Sequence, residues 1–304
     1  MKSTLDRVVA TACEVILGKE HEVRLALACL LARGHLLIED LPGVGKTTLA
    51  HVLAQTLGLQ YNRIQFTSDL LPADILGVSI YDKQQGGFHF QPGPVFAQLI
   101  LADEVNRATP KAQSALLEAM EEHQVTVEGE TRALPEPFFV IATQNPACQI
   151  GTFPLPESQL DRFLMRISLG FPSAEAEREL LTGQDKREQL KTLNAGLQPE
   201  QLMSIQQQVR KVHVSDALLD YLQALLAFSR QSPQFVSGLS PRAGLALLHS
   251  AQAWALMAGR DHVIPEDVQT VLPHVVEHRL HASAESGNTE ADTLATLLEA
   301  VPIP

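Results

Sequence analysis

Cysteine is scarce in this sequence, membrane-length apolar runs are missing, and basic residues are outnumbered by acidic ones. Each shortage excludes something. The three cysteines, Cys13, Cys29 and Cys148, lack metal-ligand spacing and suit a reducing compartment, which predicts a cytoplasmic protein. Cys13 and Cys29 fall in apolar helical patterns and are expected in the core. No apolar run approaches the ~20 residues of a membrane helix, and Asp6, Arg7 and Glu14 break up the amino-terminal stretch, so neither a membrane span nor a secretory leader is expected. Lys and Arg total 23 against 35 Asp and Glu, a net charge of −12. That argues against nucleic acid as the main partner, because duplex binding is driven by cations that neutralise phosphates. No repeat or low-complexity tract is present. What remains is 304 residues of globular composition, 45% hydrophobic and 19% charged, enough for one large domain or two smaller ones.

The most informative stretch is Asp40-Leu41-Pro42-Gly43-Val44-Gly45-Lys46-Thr47-Thr48. The apolar run Leu36-Leu37-Ile38 leads into it, and Leu49, Val52 and Leu53 continue from it at helical spacing. Strand, glycine-rich turn and Lys-Thr at a helix start make the phosphate-binding P-loop. Gly43 and Gly45 let successive N–H groups face inward as an anion nest, and the helix N-terminus adds its dipole. Lys46 is then expected to reach the β- and γ-phosphates and the Thr47 hydroxyl to ligate Mg²⁺. One position departs from the general pattern: Asp40 stands where the first glycine is usual.

A second landmark is Phe96 to Glu104, a short apolar run of the kind that forms a buried parallel strand, ending in two carboxylates. After a P-loop, Asp103 is expected to hold the Mg²⁺ shell and Glu104 to polarise the attacking water. The strand Phe138–Thr143 runs into Gln144-Asn145-Pro146. Site groups gather at the carboxyl ends of strands in open α/β sheets, so Asn145 is a candidate for orienting that water; an ordinary Asn-Pro turn is the alternative. Two hairpins are expected. Val78–Tyr81 and Phe88–Phe90 flank Lys83-Gln84-Gln85-Gly86-Gly87, and a second spans Gln124–Arg132 around Glu128-Gly129. Phe88 and Phe90 share one face, either as a gripping tip or packed onto the domain.

After Pro172 the pattern turns helical, near 173–190, 199–211, 215–230, 241–258 and 265–272, with Pro233, Gly259 and Pro273 as breaks. Residues 281–292 suggest a loose connector before a short helix at Leu294–Leu298. The expected fold is α/β: a three-layer α/β/α P-loop domain over 1–171, then a smaller all-helical lid domain over 172–304.

With these motifs in place, the chain resembles an AAA+ ATPase. The two hairpins resemble the helix-2-insert branch, which includes magnesium chelatase motor subunits and MCM helicases. Glu39–Thr47, Ala102–Ala108, Ala142–Pro146, Leu155–Phe163 and Ser240–Ala243 are similar to the MoxR family within it, whose P-loop accommodates Asp40. The resemblance implies ATP and Mg²⁺ as cofactors, with Pro42 through Thr48 at the nucleotide. It implies Asn145 as sensor 1 and Arg242 as sensor 2, a cation from the same subunit. It implies Arg162 as an arginine finger reaching the neighbour's nucleotide, with Arg166 as a rival. A finger in trans implies a homo-oligomer, a hexameric ring by analogy. The implied activity is ATP hydrolysis that remodels, matures or activates a client enzyme, in some cases by inserting its metal, with a von Willebrand factor A domain protein as partner. Two alternatives stay open: a nucleic-acid motor, and a nucleotide-gated scaffold with little turnover.

One competing pattern exists. His274-Val275-Val276-Glu277-His278 matches the inverted zinc-protease motif H-x-x-E-H, with a solvated helix end as the other explanation.

Overall fold

The computed structural model describes residues 2–84, 86–145, 151–182, 190, 193, 195–283 and 290–303. Helices α1 (Lys2–Cys13) and α2 (Glu20–Leu31) precede strand β1 (Leu36–Glu39), which feeds α3 (Lys46–Thr56). The chain continues through β2 (Tyr61–Gln65), the short α4 (Pro72–Leu76) and the hairpin β3 (Gly77–Asp82) and β4 (Gly87–Pro92). Then come β5 (Leu99–Asp103), α5 (Pro110–Glu122), the hairpin β6 (Gln124–Val127) and β7 (Glu130–Ala133), β8 (Phe139–Gln144), α6 (Glu157–Leu160) and β9 (Met165–Ile167). The rest of the described chain is helical: α7 (Ala174–Thr182), α8 (Pro199–Val209), α9 (Asp216–Gln231), α10 (Pro241–Met257), α11 (Pro265–Val276) and α12 (Glu290–Ala300).

Five strands form one parallel sheet in the order β2-β5-β8-β1-β9. Their alternating side chains divide the core in two. Leu36, Ile38, Leu99, Leu101, Phe139 and Ile141 face the side covered by α1–α3, while Leu37, Ile100, Ala102, Val140 and Ala142 face the side covered by α5. The first of these clusters runs on without interruption into the helical segment, through Leu202, Leu218, Leu247, Val268 and Val275. Close approach is demanded at Gly34, just before β1, where a Cβ would lie 2.3 Å from Leu164 Cβ.

The α/β fold with a helical second part is as the sequence predicts; details differ. Helix α11 runs through Pro273 to Val276 instead of stopping at 272. An internal proline costs about 3 kcal/mol, but Leu272, Val275 and Val276 are fully buried, and their burial is worth more. The expected connector at 281–292 is held at its start, where Val236 N–H donates to His281 O at 3.0 Å and Ser283 N–H to Gln234 O at 2.7 Å. Residues 284–289, residues 183–189 of the helix expected at 173–190, Gln85, Pro146 and Cys148 lie outside the described residues. The final helix is longer than expected, starting at Glu290.

Candidate nucleotide-binding site

Strand order puts the site at the carboxyl ends of β1, β5 and β8, where Glu39 is in register with Gln144 and Gln65 with Asp103. Between β1 and α3 the chain turns on Gly43 and Gly45, with φ of +88° and +99°. A Cβ at either would meet nothing within 4 Å, so the loop encloses open space for a phosphate. Pro42 and Val44 complete the turn; Lys46, Thr47 and Thr48 form the first turn of α3, whose N-cap Gly45 offers no side-chain acceptor to the free amides. Lys46 is 8% exposed. Its ammonium donates to Asp40 O, to Gln144 O at 3.4 Å and to Asn145 Oδ1 at 3.1 Å. Burial lowers its pKa, opposed by the surrounding Asp40, Asp103, Glu104 and Glu39 carboxylates.

Asp40 has a structural role that its neighbours in sequence do not reveal. Its Oδ2 accepts from Ser168 Oγ at 2.9 Å, Leu169 N at 2.7 Å and Gly170 N at 2.6 Å, and its Oδ1 from Leu41 N at 2.7 Å. Burial alone would raise its pKa; the bonds from Gly170, Ser168, Leu41 and Leu169 outweigh it and hold the carboxyl low. The start of the P-loop is thereby fastened to the segment that leaves β9 for the helical part.

Asp103 and Glu104 differ. Asp103 Oδ1 accepts from Thr143 Oγ1 at 2.6 Å, and its Oδ2 is forked by Arg63, with Nη2 at 2.6 Å and Nε at 3.1 Å. Glu104 adopts a left-handed backbone, φ 57° and ψ 49°, a strained state for a residue with a Cβ and frequent at functional positions. That turn lifts its carboxylate off the strand. Oε1 accepts from Asn145 Nδ2 at 3.1 Å, and Oε2 from Arg107 at 2.9 Å and Gln65 at 3.3 Å. Asn145 thus bridges Lys46 and Glu104 with the two ends of one amide.

The predicted arginines form a separate group. Arg162 donates to Leu117 O at 2.8 Å and pairs with Glu121 at 2.5 Å; Arg242 pairs with the other oxygen of Glu121 at 2.6 Å and reaches Asp161 at 3.8 Å. Arg166 is more enclosed, between Glu39 at 3.0 Å and Glu277 at 3.4 Å. Arg279, buried beside Asp161 at 2.7 Å and the carbonyls of Phe163 and Leu164, fixes the loop that carries Arg162.

Known proteins place this arrangement. Residues 35–165 match the family model described as ATPase family associated with various cellular activities (AAA), and residues 227–297 match the AAA lid domain. The chain is 45% identical to the Bacillus subtilis protein YeaC over 99% of this chain and 95% of that one. It is 41% identical to Chaperone MoxR1 of Mycobacterium tuberculosis over 91% of this chain and 75% of that one. The chain belongs to the MoxR family of AAA+ ATPases. A crystal structure from Cytophaga hutchinsonii superposes on this MoxR-family chain with a TM-score of 0.91 at 36% identity, covering 100% of it and 96% of the other.

Other features of the MoxR-family chain resolve against this frame. The H-x-x-E-H side chains do not converge: His274 lies against His21 and Arg166 O, Glu277 pairs with Arg166, and His278 is buried on Phe163 O at 3.0 Å. No group of three potential metal ligands occurs among the described residues. In the first hairpin Phe90 packs on Phe96 and under the Arg132 guanidinium, whereas Phe88 is 76% exposed beside Tyr81. No described helix is long and apolar enough to cross a membrane. Sequence reasoning missed Arg63, Gln65, Glu121 and Arg279, and the role of Thr143, because each acts on a residue 39 or more positions away.

Proposed function

We propose that this protein hydrolyses ATP with Mg²⁺ and uses the energy to remodel or mature a client protein. The observation that carries this is the Lys46–Asn145–Glu104 relay, which sets a phosphate-binding cation and a carboxylate base at opposite ends of one amide. Main-chain amides of Pro42–Thr48 would grip the phosphates, and the Thr47 hydroxyl would ligate Mg²⁺. Asp103, oriented by Thr143 and Arg63, would help hold the cation. Bound Mg²⁺ supplies charge neutralisation at the phosphates. Glu104 accepts the proton of the attacking water, and Asn145, released from Lys46, orients that water.

Residues 1–171 would form the nucleotide domain and 172–304 the lid. Arg162 would be the finger: its side chain is more exposed than that of Arg166, 30% against 18%, and Arg166 lies between Glu39 and Glu277. Arg242 shares Glu121 with Arg162, whereas the polar partners of Lys46 are Asp40, Gln144 and Asn145. Once released from Glu121, Arg242 would act as sensor 2 on its own subunit's nucleotide and Arg162 as the finger on the neighbour's. A finger in trans would be met in a ring of copies, hexameric by family analogy, and we place its work in the cytoplasm as part of the same reading. Similarity to a protein named as a chaperone supports the client role. A von Willebrand factor A domain protein as partner, and metal insertion as one form of maturation, are what the family resemblance implies.

A nucleic-acid motor is disfavoured by the −12 charge and by Arg132, near a hairpin tip, being spent on Glu130 and Phe90. A low-turnover scaffold would bind ATP without this carboxylate geometry. The test is affinity capture with Glu104→Gln in ATP. A stalled motor retains a client that wild type and Lys46→Ala release, and identical captures from all three would contradict the proposal.

A further inference from the structure

The opposite end of the sheet holds a second pocket, of ≈ 350 Å³. Arg33, just before β1, and Glu136 and Phe138, just before β8, line it from below the sheet; His123 closes one side, and Gln206 and Arg210 line it from α8 and its end. Parallel strands run from this pocket to the P-loop, so the two lie at opposite ends of β1.

Arg210 is held here without being neutralised. Its Nη1 donates to His249 Nε2; His249 Nδ1–H donates to Gln252 Oε1 at 3.1 Å, and Gln252 Nε2 donates to Val212 O at 2.9 Å. An imidazole that accepts from a guanidinium is neutral. Consistently, burial lowers the His249 pKa, and the Arg210 charge adds to this against the opposing bond to Gln252. Arg33 brings a second positive charge close enough to lower the Arg210 pKa, after burial. Neither guanidinium has an ion pair among the described residues, although Glu136 lines the same pocket. Gln206, 4% exposed, donates to Leu30 O at 2.8 Å and leaves its Oε1 buried with no donor among the described residues. Two cations beside one pocket, Arg210 held by a neutral imidazole and Arg33 close to it, make a local field for an anion in a chain of net charge −12. The unpaired acceptor favours an anion that still carries a proton.

We propose that this pocket binds a small phosphoryl-bearing anion, held by Arg33 from the base of the sheet and by Arg210 from the helical part, separately from the P-loop. Guanidinium groups match phosphoryl oxygens in geometry as well as charge. An anion there would join the two parts of the chain across the end away from the nucleotide.

The probe is inorganic pyrophosphate, titrated calorimetrically into the full chain saturated with Mg²⁺ and ADP so that the P-loop is filled. Citrate, carboxylate in place of phosphoryl, is titrated in parallel. One pyrophosphate per chain is expected, weakened at least tenfold by Arg33→Gln and by Arg210→Gln but not by Lys111→Gln, a change at an exposed lysine elsewhere. Both arginines are exposed, so the variants keep the wild-type melting temperature without anion. Nucleotide-free Lys46→Ala protein must bind pyrophosphate with the same affinity. The proposal is overturned by no saturable binding, by binding indifferent to both arginine variants, by its loss in Lys46→Ala, or by citrate binding as well as pyrophosphate.

Discussion

Replacing Asp40 by asparagine tests how the P-loop is fastened to the rest of the molecule. The buried carboxylate accepts four bonds, three of them on Oδ2 from Ser168, Leu169 and Gly170. Bonds to a charged acceptor are worth about 1.5–3 kcal/mol each, roughly twice the neutral kind. Asparagine keeps one oxygen. Its best placement leaves that oxygen on the 168–170 donors and turns the NH₂ against the Leu41 N–H, so one bond is lost and three weaken. Part of that loss is recovered because no charge is buried, which leaves a net destabilisation of about 2–4 kcal/mol. Calorimetric melting of the nucleotide-free protein should show Tm lower by roughly 3–6 °C for a chain of 304 residues. Hydrogen exchange at the Leu169 and Gly170 amides should accelerate. The pH dependence gives an independent arm. The folded pKa of Asp40 is held low, so its stabilisation is present above the unfolded carboxyl value of about 3.9 and is lost as pH falls through the folded value. Wild type and variant should therefore converge in acid. Equal Tm at neutral pH with unchanged exchange at 169 and 170 would refute the reasoning.

His35 donates from Nε2 to Met120 O and accepts the Val140 N–H on Nδ1, and burial pushes its pKa down to about 4. The unfolded state then binds the extra proton between pH about 6.5 and about 4, so stability is lost as pH falls through that window. The loss is about 3 kcal/mol, His274 contributes in the same window, and His35→Gln should flatten the urea-melt profile there. Glu121→Gln removes an acceptor that competes for Arg162 and Arg242; two exposed pairs of about 0.5 kcal/mol each correspond to a rise in ATP turnover of up to about fivefold, and an unchanged rate would show that Glu121 restrains neither arginine. Phe90→Ala should cost about 1–2 kcal/mol through lost contact with Phe96 and Arg132, whereas Phe88→Ala should stay within about 0.5 kcal/mol; equal losses in thermal melts would contradict the packing described.

The phosphate loop, the acidic strand end and the division between α/β and helical regions were legible because each rests on neighbours in sequence. Gly43 to Lys46 must be contiguous to form a nest at a helix start, and Leu99 to Ala102 must be apolar to lie buried on both faces before the acidic strand end. The partners that tune these groups were not legible. Arg63 meets Asp103 because β2 lies beside β5, and Asp40 meets Gly170 because β9 lies beside β1; strand order decides both, and no local pattern encodes it. Alternation put Phe88 and Phe90 on one face of the hairpin, but only the position of Phe96 decides that Phe90 is the one packed down. Pro273 misled for a related reason: local propensity ends the helix, and burial of the residues after it carries the helix on.

If Glu104 acts on water while the P-loop holds the nucleotide, ATP affinity and steady-state hydrolysis must part company when both are measured on the same preparation of Glu104→Gln. Glutamine can keep the Asn145 bond but cannot take a proton. Affinity should match wild type while turnover falls by about 10²–10⁴-fold. Wild-type turnover by this variant, or a loss of binding equal to the loss of rate, would contradict the account.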